Sequence, residues 1–390
     1  MNNLIFGLSQ NDLDQKGAIH TANEIYGQPK LWLKTWELIA ENSSHLQKYL
    51  SNVFKKDNLQ IVLTGAGTSA FIGHVLESVF QTHTGFNCRA IPTTTLVTHP
   101  RQYFQKERPT LLISFARSGN SPESIKAVEL ADEVCEDISH LVITCDTNGQ
   151  LAKSISQKNG CLFVLPEETN DKSLAMTSSF TSMLLSGILI SRIGELQKLK
   201  VQVELLVSYA KNILANYLPV LKTIAEMNFN RAVFLGSGSF EGIARESHLK
   251  LQELTNGKVI CKHDSFLGFR HGPKVVIDDK TLVVYLFSND PYVQKYEKDL
   301  ALSVHTEKNA LHTLAVLEKN LIDVNSDSKI ILSECDNVLE ECFLTIVSTL
   351  PAQILGYYKS LNFGLKPDSP SENGSISRVV QGVNLYSYGG

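Results

Sequence analysis

An excess of positive charge, patterned cysteines and long apolar runs are all missing from this 390-residue sequence. Lys and Arg total 36 against 40 Asp and Glu, a net charge of −4, which argues against a nucleic-acid surface. The seven cysteines form no CxxC pair and follow no metal-ligand spacing. An odd, unpatterned set predicts reduced thiols in an intracellular protein. The eleven histidines form neither HxH nor HExxH, so no metal site is expected. The N-terminus, MNNLIFGLSQNDLD, turns acidic soon after a very short apolar run and does not read as a signal peptide. The most apolar stretch, around Met183–Ile193, is too short and too rich in serine to span a bilayer. A cytoplasmic protein with neither a nucleic-acid nor a membrane partner is the expectation. At 390 residues, 43% apolar and 19% charged, the chain is globular and long enough for two cores.

What is present alternates. After a polar lead-in to about residue 30 and an amphipathic helix to about Phe54, short apolar runs alternate with helical segments. The runs are 61–65, 88–92, 111–115, 140–145 and 161–165, with helices predicted at 69–82, 122–134 and 149–156. That alternation predicts a parallel sheet wrapped by helices, with ligands at the carboxyl ends of its strands. A proline-free helical stretch over 174–217 links it to a second series, with strands at 232–236, 259–262, 281–287, 312–316 and 329–333. AVFLGSGS (232–239) repeats the character of IVLTGAGTS (61–69), and Gly65 and Gly236 stand 171 positions apart. The fold class is therefore α/β: two similar, doubly wound, flavodoxin-like parallel-sheet domains in tandem. The expected boundaries are a helical lead-in over 1–54, domains over 55–215 and 216–363, and a Pro/Gly/Ser-rich tail over 364–390. A helical pattern over 340–361 should break at Pro351.

The central stretch is LLISFARSGNSPES (111–124): a buried strand, a tight polar turn and a helix start. Ser121 is the expected N-cap and Pro122 suits the first helical turn. Such a turn gathers N–H groups, hydroxyls and the positive end of a helix dipole, the features that hold a phosphate, and Arg117 adds a full charge. The bland alternative is an ordinary, well-capped strand-to-helix connection. Gly65-Ala66-Gly67-Thr68-Ser69-Ala70 fits G-x-G-x-x-A, but no carboxylate follows about 20 residues on to hold a ribose. The Thr-Ser pair argues instead for hydroxyl donors to a phosphate. In the second half, Glu246, Lys250 and Glu253 fall at i, i+4 and i+7, on one helix face. This is either a solvated, salt-bridged stripe or a site beside the second Gly-x-Gly turn. His271, in FRHGPK, belongs to an irregular turn. A carboxylate, an imidazole and a phosphate cradle are together what aldose–ketose chemistry on a sugar phosphate needs.

The IVLTGAGTSA turn, the ARSGNSPES turn, the KLQE helix and HGP, in that order, resemble the sugar isomerase (SIS) domain proteins. Within them the chain is similar to the galactosamine-6-phosphate deaminase/isomerase group, also called tagatose-6-phosphate ketose/aldose isomerases. The isomerase half of glucosamine-6-phosphate synthase is more distant. The resemblance covers both domains, the lead-in and the tail, which it places over the active site. It implies a phosphate cradle of Thr68, Ser69, Arg117, Ser118 and Ser121, with Glu246 and Arg378 also on the substrate. Glu253 takes the place of the C1/C2 proton-transfer base, with Lys250 one turn before it. His271 takes the place of the ring-opening histidine, supplied by a neighbouring subunit, which implies a homodimer or larger homo-oligomer. Two departures stand out: Ala116 replaces the first serine of the usual turn, and Arg378 stands where the synthase has a lysine. An arginine stays protonated, so it can bind but not donate a proton. The implied reaction is galactosamine 6-phosphate plus water to tagatose 6-phosphate plus ammonia, without metal or organic cofactor. The alternatives are isomerisation without amine loss, deamination of glucosamine 6-phosphate, or a non-catalytic sugar-phosphate sensor.

Overall fold

The computed structural model describes residues 4–156, 158, 160–321, 323–380 and 382–389. Among the described residues ten strands fall into two five-stranded sheets, all of whose pairings are parallel. The first sheet holds β1 (Gln60–Thr64), β2 (Asn87–Ala90), β3 (Thr110–Ala116), β4 (Ile138–Thr144) and β5 (Cys161–Val164), in the order β2-β1-β3-β4-β5. The second holds β6 (Arg231–Gly236), β7 (Ile260–Asp264), β8 (Thr281–Leu286), β9 (His312–Leu317) and β10 (Ser328–Ile331). Its order, β7-β6-β8-β9-β10, is the same 2-1-3-4-5 arrangement. The duplication read from the two Gly-x-Gly turns is thus a duplication of topology. β1 and β3 are buried along their whole length, as continuous apolar runs in a sheet covered on both faces should be.

The helices of the described residues include α1 (Ile19–Val53), α2 (Thr68–Thr84), α3 (Pro122–Val134), α4 (Ser178–Ser191), α5 (Ser239–Leu254), α6 (Pro291–Glu307) and α7 (Leu350–Asn362). Chain contacts divide the molecule into two compact units. The first-sheet unit comprises Lys30–Asp171, Ser178–Val201 and Ile376–Gly390. The second-sheet unit comprises Met1–Pro29, Lys172–Thr177 and Gln202–Ser375.

Local expectations fail where neighbours decide. The lead-in is already helical from Ile19, and α1 runs through Pro29. The stretch 174–217 is not one helix. It holds α4, a 3-10 turn at Ile193–Glu195 and a helix over Leu196–Asn216. Short helices at Thr93–Thr98 and Pro100–Tyr103 carry no periodic signal of their own. The predicted break at Pro351 is real: one helix spans Glu341–Val347, and α7 begins with the proline in its first turn. No helix among the described residues is long and apolar enough to cross a membrane.

Candidate active site

In the first-sheet unit β1 leads outward to β2 on one side, and β3 leads to β4 on the other. The crevice between the carboxyl ends of β1 and β3 is therefore the topological switch point, where such sheets take ligands. The turns after those two strands carry Thr68, Ser69, Arg117, Ser118 and Ser121, so the topology brings the five residues to one edge. Thr68, Ser69, Arg117 and Ser118 are all buried. Gly67 precedes α2 with φ 56° and ψ −129°, a conformation reserved for glycine, and places Thr68 and Ser69 in the first turn. Gly119, at φ 64°, turns the chain between Ser118 and Asn120. The Asn120 amide donates to the Ser118 hydroxyl (3.3 Å), and Asn120 Oδ1 accepts from the Gln150 amide (3.0 Å). Ser121 occupies the N-cap position of α3 in extended conformation, but its hydroxyl does not cap the helix.

Arg117 Nη2 donates to the carbonyl of Arg378 at 2.7 Å. The Arg378 side chain turns elsewhere: Nε donates to the Asp171 carbonyl (2.8 Å) and Nη2 to Asn170 Oδ1 (2.5 Å). Asp171 is buried, and its carboxylate accepts the amides of Ser178 (3.2 Å) and Ser179 (3.0 Å) and both their hydroxyls, fixing the start of α4. Nothing in the sequence marked Asn170 or Asp171. An aspartate seven residues before a Ser-Ser helix start is too remote for a capping pattern.

In the second-sheet unit α5 follows β6 as α2 follows β1, with Gly238 (φ 56°, ψ −125°) standing where Gly67 stands. The stripe on α5 is not a solvated surface. Lys250 and Glu246 are each 1% exposed, while the Glu253 side chain keeps 23%. The Lys250 ammonium lies 3.4 Å from a Glu246 oxygen and donates to Glu253 at 2.8 Å. A buried ammonium between two carboxylates offsets part of the desolvation cost that each of these charges would carry alone. His248 on the same helix faces His263 of β7, ring centroids 4.7 Å apart. Burial pushes the His263 imidazole down to about 4, with the neighbouring His248 a smaller cause. His271 is exposed, in a turn closed by its amide to the Gly268 carbonyl (3.0 Å) and followed by Gly272 at φ 117°.

The twin switch point, between β6 and β8, has different chemistry. Phe287 is the first residue after β8, where Arg117 follows β3, and Asp290 caps α6 where Ser121 precedes α3. Glu297 of α6 is fully buried there and accepts the Ser288 amide at 3.0 Å. Burial, against a hydrogen bond from Ser237, pushes its carboxyl up to about 7, and nearby Glu341 and Asp290 add to the rise. The position that Arg117 holds in the first crevice is thus taken by a phenylalanine here, and a buried carboxyl stands behind the turn. Among the described residues no group of three or more His, Cys, Asp or Glu could hold a metal ion.

Residues 54–192 match the model of the SIS domain family. The chain is 42% identical over 385 residues to a D-galactosamine-6-phosphate deaminase AgaS from Shewanella sp. (strain ANA-3), covering 98% of this chain and 95% of that one. A candidate tagatose-6-phosphate ketose/aldose isomerase from Clostridium novyi NT superposes with TM-score 0.96 at 41% identity, covering all of both chains. The tagatose-6-phosphate ketose/aldose isomerase of Escherichia coli follows with TM-score 0.85 and 36% identity, over 95% and 97% of the two chains.

Proposed function

Because the chain belongs to the D-galactosamine-6-phosphate deaminase AgaS family of SIS-domain proteins, we propose that it converts D-galactosamine 6-phosphate and water to D-tagatose 6-phosphate and ammonia. The observation that carries the reading is Glu253. Its carboxylate is partly exposed at the end of α5 and held by the otherwise buried Lys250. A base so placed is fixed in orientation yet reachable by a substrate carbon. The phosphate goes to Thr68, Ser69, Arg117, Ser118 and Ser121 in the first-sheet unit. Glu246 supports Lys250.

His271 assists opening of the pyranose, giving the free 2-amino aldehyde. Glu253 removes the C2 proton, leaving an enolamine, and returns it at C1. The resulting C2 ketimine adds water and expels ammonia, which leaves the 2-ketose. The substrate's own carbonyl and imine take up the electron pairs, so neither metal nor organic cofactor is called for. His271 acts in the site of a second copy. Its turn is exposed, and Ile260, Leu267 and Val275 near it in sequence are 61%, 50% and 87% exposed. This makes the functional form at least a homodimer, working in the cytosol on a sugar phosphate.

A second reading keeps the same residues but a 2-hydroxy sugar, giving isomerisation without amine loss. The names of the two solved relatives favour it. Coupled detection of ammonia decides. Galactosamine 6-phosphate should release one ammonia per ketose formed, faster than glucosamine 6-phosphate or the N-acetylated sugars. Release from none of them would end the deaminase reading.

A further inference from the structure

The geometry points to Asn170 as a positioning residue: with Arg378 it forms a tether that sets the Arg117 guanidinium for the substrate phosphate. This inference rests on the proposed sugar-phosphate function and adds a residue and a mechanism to it. The chain of contacts is continuous within the first-sheet unit. The start of α4 is locked to the Asp171 carboxylate by two amides and two hydroxyls. Asn170 is fixed by its own amide, which donates to the Glu167 carbonyl at 3.0 Å. Asn170 Oδ1 and the Asp171 carbonyl then take two donors of one guanidinium, from Nη2 (2.5 Å) and Nε (2.8 Å) of Arg378. The planar fork makes this a two-point attachment with a defined direction, which a lysine could not reproduce. The Arg378 carbonyl, held by its own side chain, accepts from Arg117 Nη2 at 2.7 Å.

Arg378 is thus a part of the scaffold whose backbone, not its charge, reaches the cradle. Much of the tail beyond it faces solvent. Val380, Leu385 and Tyr386 are 51%, 37% and 80% exposed, and the Arg101 guanidinium lies 5.7 Å from the Tyr388 ring. Without the tether, the Arg378 carbonyl is no longer held in place to orient Arg117. A guanidinium has five donors in a rigid fork, and binding a phosphate with two of them requires the plane to be set beforehand.

The test is a double-mutant cycle read by calorimetric titration with a linear hexitol 6-phosphate, a ligand that needs no turnover. Asn170→Ala should weaken binding about ten-fold in the wild-type background and less than two-fold where Arg117 is already Ala. Asn170→Asp, which keeps the acceptor and adds charge toward Arg378, should retain wild-type affinity. Amide exchange over residues 377–380 and 382–389 should accelerate in Asn170→Ala and not in Asn170→Asp. If Asn170→Ala does not fold, Arg378→Lys carries the same cycle. Unchanged affinity in the single variant, or equal losses in both backgrounds, overturns the tether. Failure of the wild type to bind the hexitol phosphate is a different result: it overturns the sugar-phosphate reading, and with it the role given to Arg117.

Discussion

Gly356 of α7 lies so close to Leu254 of α5 that a methyl group on it would meet Leu254 Cδ1 at 2.8 Å and the Lys250 carbonyl at 3.4 Å. This approach of two helices buries the face of α5 that carries Lys250. In the first-sheet unit a Cβ on Gly187 of α4 would meet Leu76 Cδ1 of α2 at 2.2 Å, so both units seat a late helix on the helix after their first strand. In the second-sheet unit the helix so packed carries the Glu246–Lys250–Glu253 triad.

Lys250→Met tests what the triad contributes to stability. The methionine fills the volume but leaves Glu246 buried without its ammonium, and truncating one partner of a buried pair costs about 3–5 kcal/mol. Denaturant unfolding should show a lower midpoint, with the unfolding free energy reduced by that amount. Replacing Glu246 and Lys250 together by Leu and Met should recover much of the loss. A single variant as stable as wild type would show that the charges are hydrated.

Glu253→Gln keeps size and hydrogen bonding to Lys250 but removes the base. Turnover should fall by roughly 10²–10⁴ while the hexitol phosphate still binds. In the wild type, solvent deuterium should enter C1 of the ketose product. Near-normal turnover in the variant would return this face of α5 to a purely structural role.

Glu297 makes a prediction with pH. Its carboxyl is raised from 4.5 to about 7, so the folded protein holds a proton that the unfolded chain has released. Stability from this group is fully present below about pH 4.5 and is lost as pH rises through 7. A shift of that size corresponds to roughly 3 kcal/mol. Glu297→Gln, whose amide oxygen can still accept the Ser288 amide, should match the wild type at pH 5 and exceed it in thermal midpoint at pH 8. A gap that does not widen with pH would contradict the assignment.

Shared sites make the last prediction. Inactive Glu253→Gln and inactive His271→Ala subunits, once mixed and exchanged, should regain up to about half the wild-type activity per heterodimer, since one intact site is rebuilt. No recovery at any ratio, with exchange confirmed, would place the histidine in its own chain's site.

The sequence by itself determined the fold class, because alternating apolar runs and helical periods leave few choices beyond a parallel doubly wound sheet. It also determined the duplication. Gly67 and Gly238 adopt a φ of 56° that only glycine takes easily, so each Gly-x-Gly after a strand announces its turn locally. The residues that gather at the first switch point were legible for the same reason: turn chemistry is local. What only the tertiary structure decided depends on neighbours distant in the chain. Glu246 and Lys250 have the spacing that normally marks a solvated surface stripe, yet both are 1% exposed, on a helix against which α7 packs a hundred residues later. Arg378 reads by resemblance as a substrate ligand, yet its side chain turns to Asn170 and Asp171, a pairing across some two hundred residues that no spacing encodes. Glu297 carries no mark in the sequence. Its burial is set by the turns after β6 and β8, whose Ser237 and Ser288 bond to its carboxyl.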